Sequence, residues 1–308
     1  MPSMSINMKK ITAVVIIVFI TIAGIYLSRG FISPPEPKNR QSDKIRVVAS
    51  FYPLYFFAGQ IGGDKAEVIN VTPFGAEPHA YEPTSMDMAE IENSRILIIN
   101  GNFEPWIDKI KTNLAGKNII IITAGEGLFS QKIPDPHVWL SPILAKREAE
   151  IILAGFIKSD SANREYYQKN ANRLLISLED LNKKYQQGLE FCQKKNIITS
   201  HTAFYYMAEE YGLTQTAIAG LSPDSEPSPK QIAEIADFAK KNTIDYIFFE
   251  RLISPKLAET IADEIGAKTL LLDPLEGISQ SEMSRGENYF TKMETNLTNL
   301  KLALQCNT

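Results

Sequence analysis

At 308 residues the chain is longer than one hydrophobic core ordinarily serves, so two domains are expected. Hydrophobic residues make up 44 % and charged residues 22 %, which excludes a disordered chain. A net charge of -4, with no basic stripe interleaved with aromatics, argues against a nucleic-acid partner.

Lys9-Lys10 precedes an apolar or small run from Ile11 to Leu27, followed by Arg29 and the Pro-rich Ser33-Pro34-Pro35-Glu36-Pro37. The run spans roughly 25 Å as a helix, between a signal-peptide core and a full membrane span. Residues 1–33 are therefore expected to be an export segment, read as an uncleaved anchor with a cleaved signal as the alternative. Residues 34–44 read as a polar linker to an extracytoplasmic body. No cysteine follows the apolar run, which argues against lipid attachment there. An oxidising compartment permits Cys192 and Cys306 to pair, unpaired thiols being the alternative.

From Lys44 the pattern alternates strand and helix. Strands are expected at 44–50, 67–72, 96–100 and 118–123, with helices at 52–61, 83–93 and 104–114 between them. This alternation predicts an α/β lobe with a mostly parallel sheet and helices on both faces, over residues 45–160. Ser141-Pro142 supplies N-cap and N1 residues for a helix to about Lys158. A longer helix over 161–191 carries Leu174, Leu175, Leu178, Leu181, Tyr185 and Leu189 at spacings of three and four, and is read as the connector between lobes. The rhythm then repeats in a second lobe, 192–308. Strands are expected at 196–200, 215–219, 246–250 and 269–273, with helices at 203–211, 230–241, 255–265 and 288–304.

The chain holds three histidines, and each lies at a strand end or in a proline-bounded loop: His79, His137 and His201. A lone strand-end histidine is more often a capped or core residue than a ligand; three of three in such places favours a common site. Separations of 58 and 64 residues between them, and of 72 from His201 to Asp273, are far wider than zinc-finger spacing. Ligands so spaced meet only where a fold gathers loops, beyond the carboxyl ends of parallel strands. Three imidazoles and one carboxylate suit a divalent ion of borderline softness, tetrahedral zinc foremost and manganese if the carboxylate is bidentate. Asp273 is one candidate for the carboxylate and Glu250 competes with it, while Glu82, Glu250, Tyr81 and Trp139 are candidates to orient the rings. A metallohydrolase with Glu250 or Glu82 as base, and a structural or adhesive metal site, are the rival readings.

Several segments carry a resemblance to a known family. They include Pro78-His79-Ala80-Tyr81-Glu82-Pro83-Thr84, Asp135-Pro136-His137-Val138-Trp139-Leu140-Ser141-Pro142, Ser200-His201-Thr202-Ala203-Phe204, Glu226-Pro227-Ser228-Pro229 and Leu272-Asp273-Pro274-Leu275. In these the chain resembles the metal-specific solute-binding proteins of bacterial ABC importers, the zinc and manganese group, over about residues 45–304. The resemblance implies two lobes joined by one rigid helix, His79, His137, His201 and Asp273 as ligands, a monomer, and an ABC permease as partner. His201 at the third ligand position implies Zn2+ rather than Mn2+. Gly125 to Lys132 is short and without histidine, unlike the His-rich acidic loop of many zinc members.

Overall fold

The computed structural model describes residues 16–22, 24, 44–130, 132, 133 and 135–307. The expected linker and most of the expected export segment lie outside the described residues, among which no helix is long and apolar enough to cross a membrane. Lys44–Thr308 forms one unit.

Within that unit are two four-stranded sheets, all parallel. The first has the order β2-β1-β3-β4, with β1 Ile45–Ala49, β2 Ala66–Asn70, β3 Ile96–Ile99 and β4 Ile120–Thr123. The second repeats this order as β6-β5-β7-β8, with β5 Asn196–Thr199, β6 Thr214–Ala217, β7 Tyr246–Phe249 and β8 Lys268–Leu271. The central strands β3 and β7 read as unbroken apolar runs because both of their faces are covered. In β3, Ile96 and Ile98 enter one core while Leu97 and Ile99 enter another on the opposite face. In the second sheet Ile197 and Phe248 face the first of these cores, and Ile198 and Ile247 face a third.

The core common to both sheets is organised by the long helix, Arg164–Leu189, whose 26 residues span about 39 Å. Tyr167, Ala171, Leu174, Leu178, Leu181, Tyr185 and Leu189 form one buried stripe along it. Hydrogen bonds fix the helix to both halves: Asn170 Nδ2 donates to the Ile61 carbonyl at 3.2 Å, and Tyr185 Oη to the Met293 carbonyl at 2.7 Å. It begins after a 3-10 turn, Ser161–Asn163, rather than directly at Asp160 or Ser161. Asp160 is instead held by Asn163 Nδ2 and Tyr167 Oη, both at 2.7 Å.

Other boundaries fall within three residues of those expected, and cap chemistry explains where helices start. Thr84, Ser228 and Asn288 each form a reciprocal capping box, and Ser141 caps the helix Pro142–Ser159. A short helix, Gln280–Ser284, was not expected, its capping box Ser279/Glu282 being hidden in an apparently polar loop.

Cys192 and Cys306 are joined, tying the end of the long helix to the chain's last turn and closing a sequence separation of 114 residues. Removing so long a constraint from the unfolded chain costs about 2–4 kcal/mol of stability. The double variant Cys192→Ser/Cys306→Ser should therefore lose about 2–4 kcal/mol of unfolding free energy, with a steeper denaturant slope as the released unfolded chain exposes more surface; an unchanged free energy and slope would mean that the crosslink does not constrain the unfolded state.

Candidate metal centre

All four loops that converge on one point leave the carboxyl ends of strands. His79 follows β2, His137 follows β4, His201 lies two residues beyond β5, and Glu276 lies in the loop after β8. The loops are held from beneath. Glu104, buried, accepts from Ser50 Oγ at 2.6 Å and from the backbone N–H groups of Asn100 and Gly101 at 2.7 and 3.0 Å, pinning the ends of β1 and β3. Asn100 Nδ2 in turn donates to the Pro136 carbonyl at 2.9 Å, which seats the Asp-Pro-His segment. Gly101 has φ 86°, and a Cβ there would lie 2.6 Å from Thr123 Cγ2, so only glycine fits this turn.

Donor atoms of His79, His137, His201 and Glu276 all lie within 4.8 Å of one another. His137 Nε2 stands 3.2 Å from both His79 Nε2 and His201 Nε2. Glu276 Oε1 is 3.0 Å from His79 Nε2, 3.0 Å from His137 Nε2 and 3.3 Å from His201 Nε2. Ligands about 2.0–2.1 Å from a tetrahedral centre are roughly 3.3 Å apart, so these five separations are edges of a tetrahedron of zinc size. A calcium-sized ion, with oxygens at about 2.3–2.6 Å, would need wider edges and more oxygens.

The rings are oriented from behind. His137 Nδ1 meets Asp135 Oδ1 at 2.6 Å, and the same oxygen accepts the His137 backbone N–H at 2.8 Å. His201 Nδ1 meets both Glu250 oxygens at 2.8 and 2.7 Å. A proton on Nδ1 leaves Nε2 as a bare lone pair in the neutral ring, so the centre collects lone pairs that repel unless a cation or protons lie among them. Glu77 Oε1 accepts the His79 backbone N–H at 2.9 Å, while burial and the nearby Glu276 charge push the Glu77 carboxyl up to about 8.

Of the expected residues, the structure brings together the three histidines and does not bring Asp273 to them. The fourth group is Glu276, a correction with a clear cause. Both Asp273 carboxylate oxygens are engaged elsewhere: Oδ1 by the Leu275 backbone N–H at 2.9 Å, Oδ2 by Arg251 Nε at 3.3 Å and Lys292 Nζ at 3.8 Å. Glu250 orients His201 rather than joining the cluster, and with both oxygens so held it is poorly placed as a general base. Glu82 is exposed and paired with Lys109 at 2.8 Å, and Tyr81 donates to Asp87, so neither serves the rings. Trp139 packs against His137, its indole N–H donating to the Pro274 carbonyl at 2.8 Å. Asp135 was overlooked in the sequence, although an acid two residues before a histidine is the signal that would have found it.

Burial disfavours the charged form of His201, but the Glu276 and Glu250 carboxylates outweigh it and hold the ring well above its ordinary 6.5. His137 is likewise raised, against burial, by Asp135 and Glu276, whereas burial prevails at His79 and lowers it. Glu276, despite burial, is held well below the usual carboxylate range by the charge of His201 and hydrogen bonds from the three rings.

The family model described as "Zinc-uptake complex component A periplasmic" matches residues 47–303. The high-affinity zinc uptake system protein ZnuA of Bacillus subtilis is 39 % identical over 285 residues, covering 86 % of this chain and 89 % of that protein. The zinc-binding lipoprotein AdcA of Streptococcus pneumoniae is 38 % identical over 284 residues, 85 % of this chain but only 56 % of that longer protein. The crystal structure of the Zn(II)-bound ZnuA-like domain of the same AdcA superposes with a TM-score of 0.77 at 39 % identity, over 85 % of this chain and 99 % of that domain.

Two outcomes are expected from the centre. Glu250→Gln, which weakens the hold on His201 Nδ1, should lower divalent-cation affinity about 10–100-fold in chelator competition without moving the unfolding midpoint of the metal-free protein by more than a few degrees. In the metal-free protein, the stabilising contribution of protonated His201 is complete below 6.5 and is lost as pH rises through its raised value. Metal needs the ring unprotonated, so the gain in thermal midpoint on loading should widen from about pH 5.5 to about pH 8. A gain flat across that range would mean that the rings carry no proton in the metal-free state.

Proposed function

We propose, from the premise that the chain belongs to the zinc-uptake complex component A (ZnuA) family, that it is an extracytoplasmic receptor that captures Zn2+ and hands it to an ABC permease. The observation that carries the metal choice is the set of five ligand separations between 3.0 and 3.3 Å, edges suited to four-coordinate zinc. His79, His137, His201 and Glu276 are taken as the ligands. Three neutral imidazoles and one carboxylate leave a net charge of +1 on the bound ion, and the preference of manganese for oxygen-rich octahedral sites weighs against it.

Capture rather than catalysis is favoured by the same count. Four protein ligands fill a tetrahedral ion, whereas catalytic zinc keeps a position for water. The Cys192–Cys306 crosslink supports a location outside the reducing cytoplasm. Lobes over 45–160 and 192–308, joined by the helix over 161–191, give each lobe two ligands. Release then requires only that one lobe draw His201 and Glu276 away from His79 and His137. The receptor works as a monomer, its membrane attachment residing in residues 1–33.

Protein stripped of metal should take up one equivalent of zinc that excess manganese does not displace, read by elemental analysis and competition titration. His137→Ala should weaken zinc binding by more than about 100-fold, beyond the loss expected of a group that only orients a ligand. Equal filling by manganese would sink the metal assignment, and unchanged zinc affinity in the variant would sink the site.

A further inference from the structure

The carboxylate that completes the centre sits on a loop whose every residue up to it is fastened. Asp273 donates its backbone N–H to Asn296 Oδ1 at 2.8 Å, and its carbonyl accepts from Asn296 Nδ2 at 2.6 Å. The Pro274 carbonyl is held by the Trp139 indole at 2.8 Å. Leu275, 1 % exposed, has φ 57°, a left-handed conformation that a γ-branched residue adopts only under constraint. Its N–H donates to Asp273 Oδ1 at 2.9 Å, closing an Asx turn over Pro274. Gly277 follows, where a Cβ would stand 3.2 Å from the Ala76 carbonyl of the loop that carries His79.

The other carboxylate oxygen of Asp273 belongs to a charge cluster. Arg251 bridges Asp273 at 3.3 Å and Glu282 at 3.2 Å, while Lys292, its side chain 5 % exposed, reaches Glu282 at 2.5 Å, Glu287 at 2.8 Å and Asp273 at 3.8 Å. Arg251 also directly follows Glu250, which orients His201. Buried or half-buried ion pairs contribute little net stability, but they fix geometry where several share partners.

We infer that Asp273 is a positioning residue: anchored by Arg251 and Lys292, it holds Leu275 in its left-handed turn and so aims Glu276 at the three histidines. The inference rests on the proposed ligand set. Asp273 acts on the ion only through Glu276, and the cluster exists to present that side chain. Its loss therefore removes one ligand from the ion and leaves the three imidazoles in place.

A double-variant cycle in the full chain tests this, with Asp273→Asn, Glu276→Gln and both together. Zinc affinity is read by chelator competition, and the ligand shell by the visible absorption of the Co2+-loaded protein, which is intense for four-coordinate protein-ligated cobalt and weak when waters enter. Glu276→Gln should lower affinity about 10–100-fold or more. Asp273→Asn should lose no more than this, add less than twofold on top of Glu276→Gln, and change the cobalt spectrum in the same sense. Independent, multiplying losses would overturn the inference, as would an Asp273→Asn protein with wild-type affinity and spectrum. A large loss for Asp273→Asn beside none for Glu276→Gln would make Asp273 itself the ligand and overturn it too. Should Asp273→Asn fail to fold, Arg251→Gln, at a partly exposed side chain, takes its place in the cycle under the same criteria. Failure of the underlying site reading is seen separately, as absence of cobalt and zinc uptake by the unaltered protein.

Discussion

The structure depends on one electrostatic constraint: four electron-pair donors, three aromatic nitrogens and a carboxylate oxygen, are held within van der Waals reach of one another and away from water. His137 and His201 are fully buried and Glu276 is 1 % exposed. With neither a cation nor protons among them such donors repel, each having lost its solvent and facing another lone pair; in the metal-free protein the raised His201 ring and the Glu276 carboxylate relieve part of this. Backing from outside the cluster fixes where each donor stands. Asp135 and Glu250 lock two of the rings, Glu104 and Asn100 seat the segment that carries His137, and the Asp273 cluster locks the loop of the fourth group.

That backing explains why two separate sheets are needed. A single parallel sheet offers loops along one edge, which tend to approach an ion from one side. Two sheets of the same strand order, with a common core along the long helix, present their loops to each other, so the donors arrive from opposite sides. The crossing hydrogen bond from Trp139 to Pro274 joins the segment carrying His137 to the loop carrying Glu276. It makes the two lobes report on one another at the place where the ion sits.

Much of this was legible in the residues. The apolar runs of β1, β3, β5 and β7, the capping hydroxyls, and the three-four spacing of leucines on the long helix each express a local rule that tertiary structure did not override. The histidines were legible because all three stand where strands give way to loops. The fourth donor was not. Asp273 follows its strand directly and Glu276 three residues later, so proximity to the strand favours the wrong acid. What decides between them is the sign of φ at Leu275 and the presence of Arg251 and Lys292 beside Asp273, neither of which local sequence displays. Long-range charge pairing is invisible to periodicity, and nothing in a leucine announces a left-handed turn.

The depth of the donors bears on time as well as on affinity. With two imidazoles buried and the third ring 9 % exposed, the edge of His79 is the part of the cluster most open to solvent. For the receptor proposed above, metal exchange would then follow opening of the cleft, and at high chelator concentration the dwell time would no longer shorten. Such a receptor would keep its cargo against abundant competitors by slow escape as much as by tight binding.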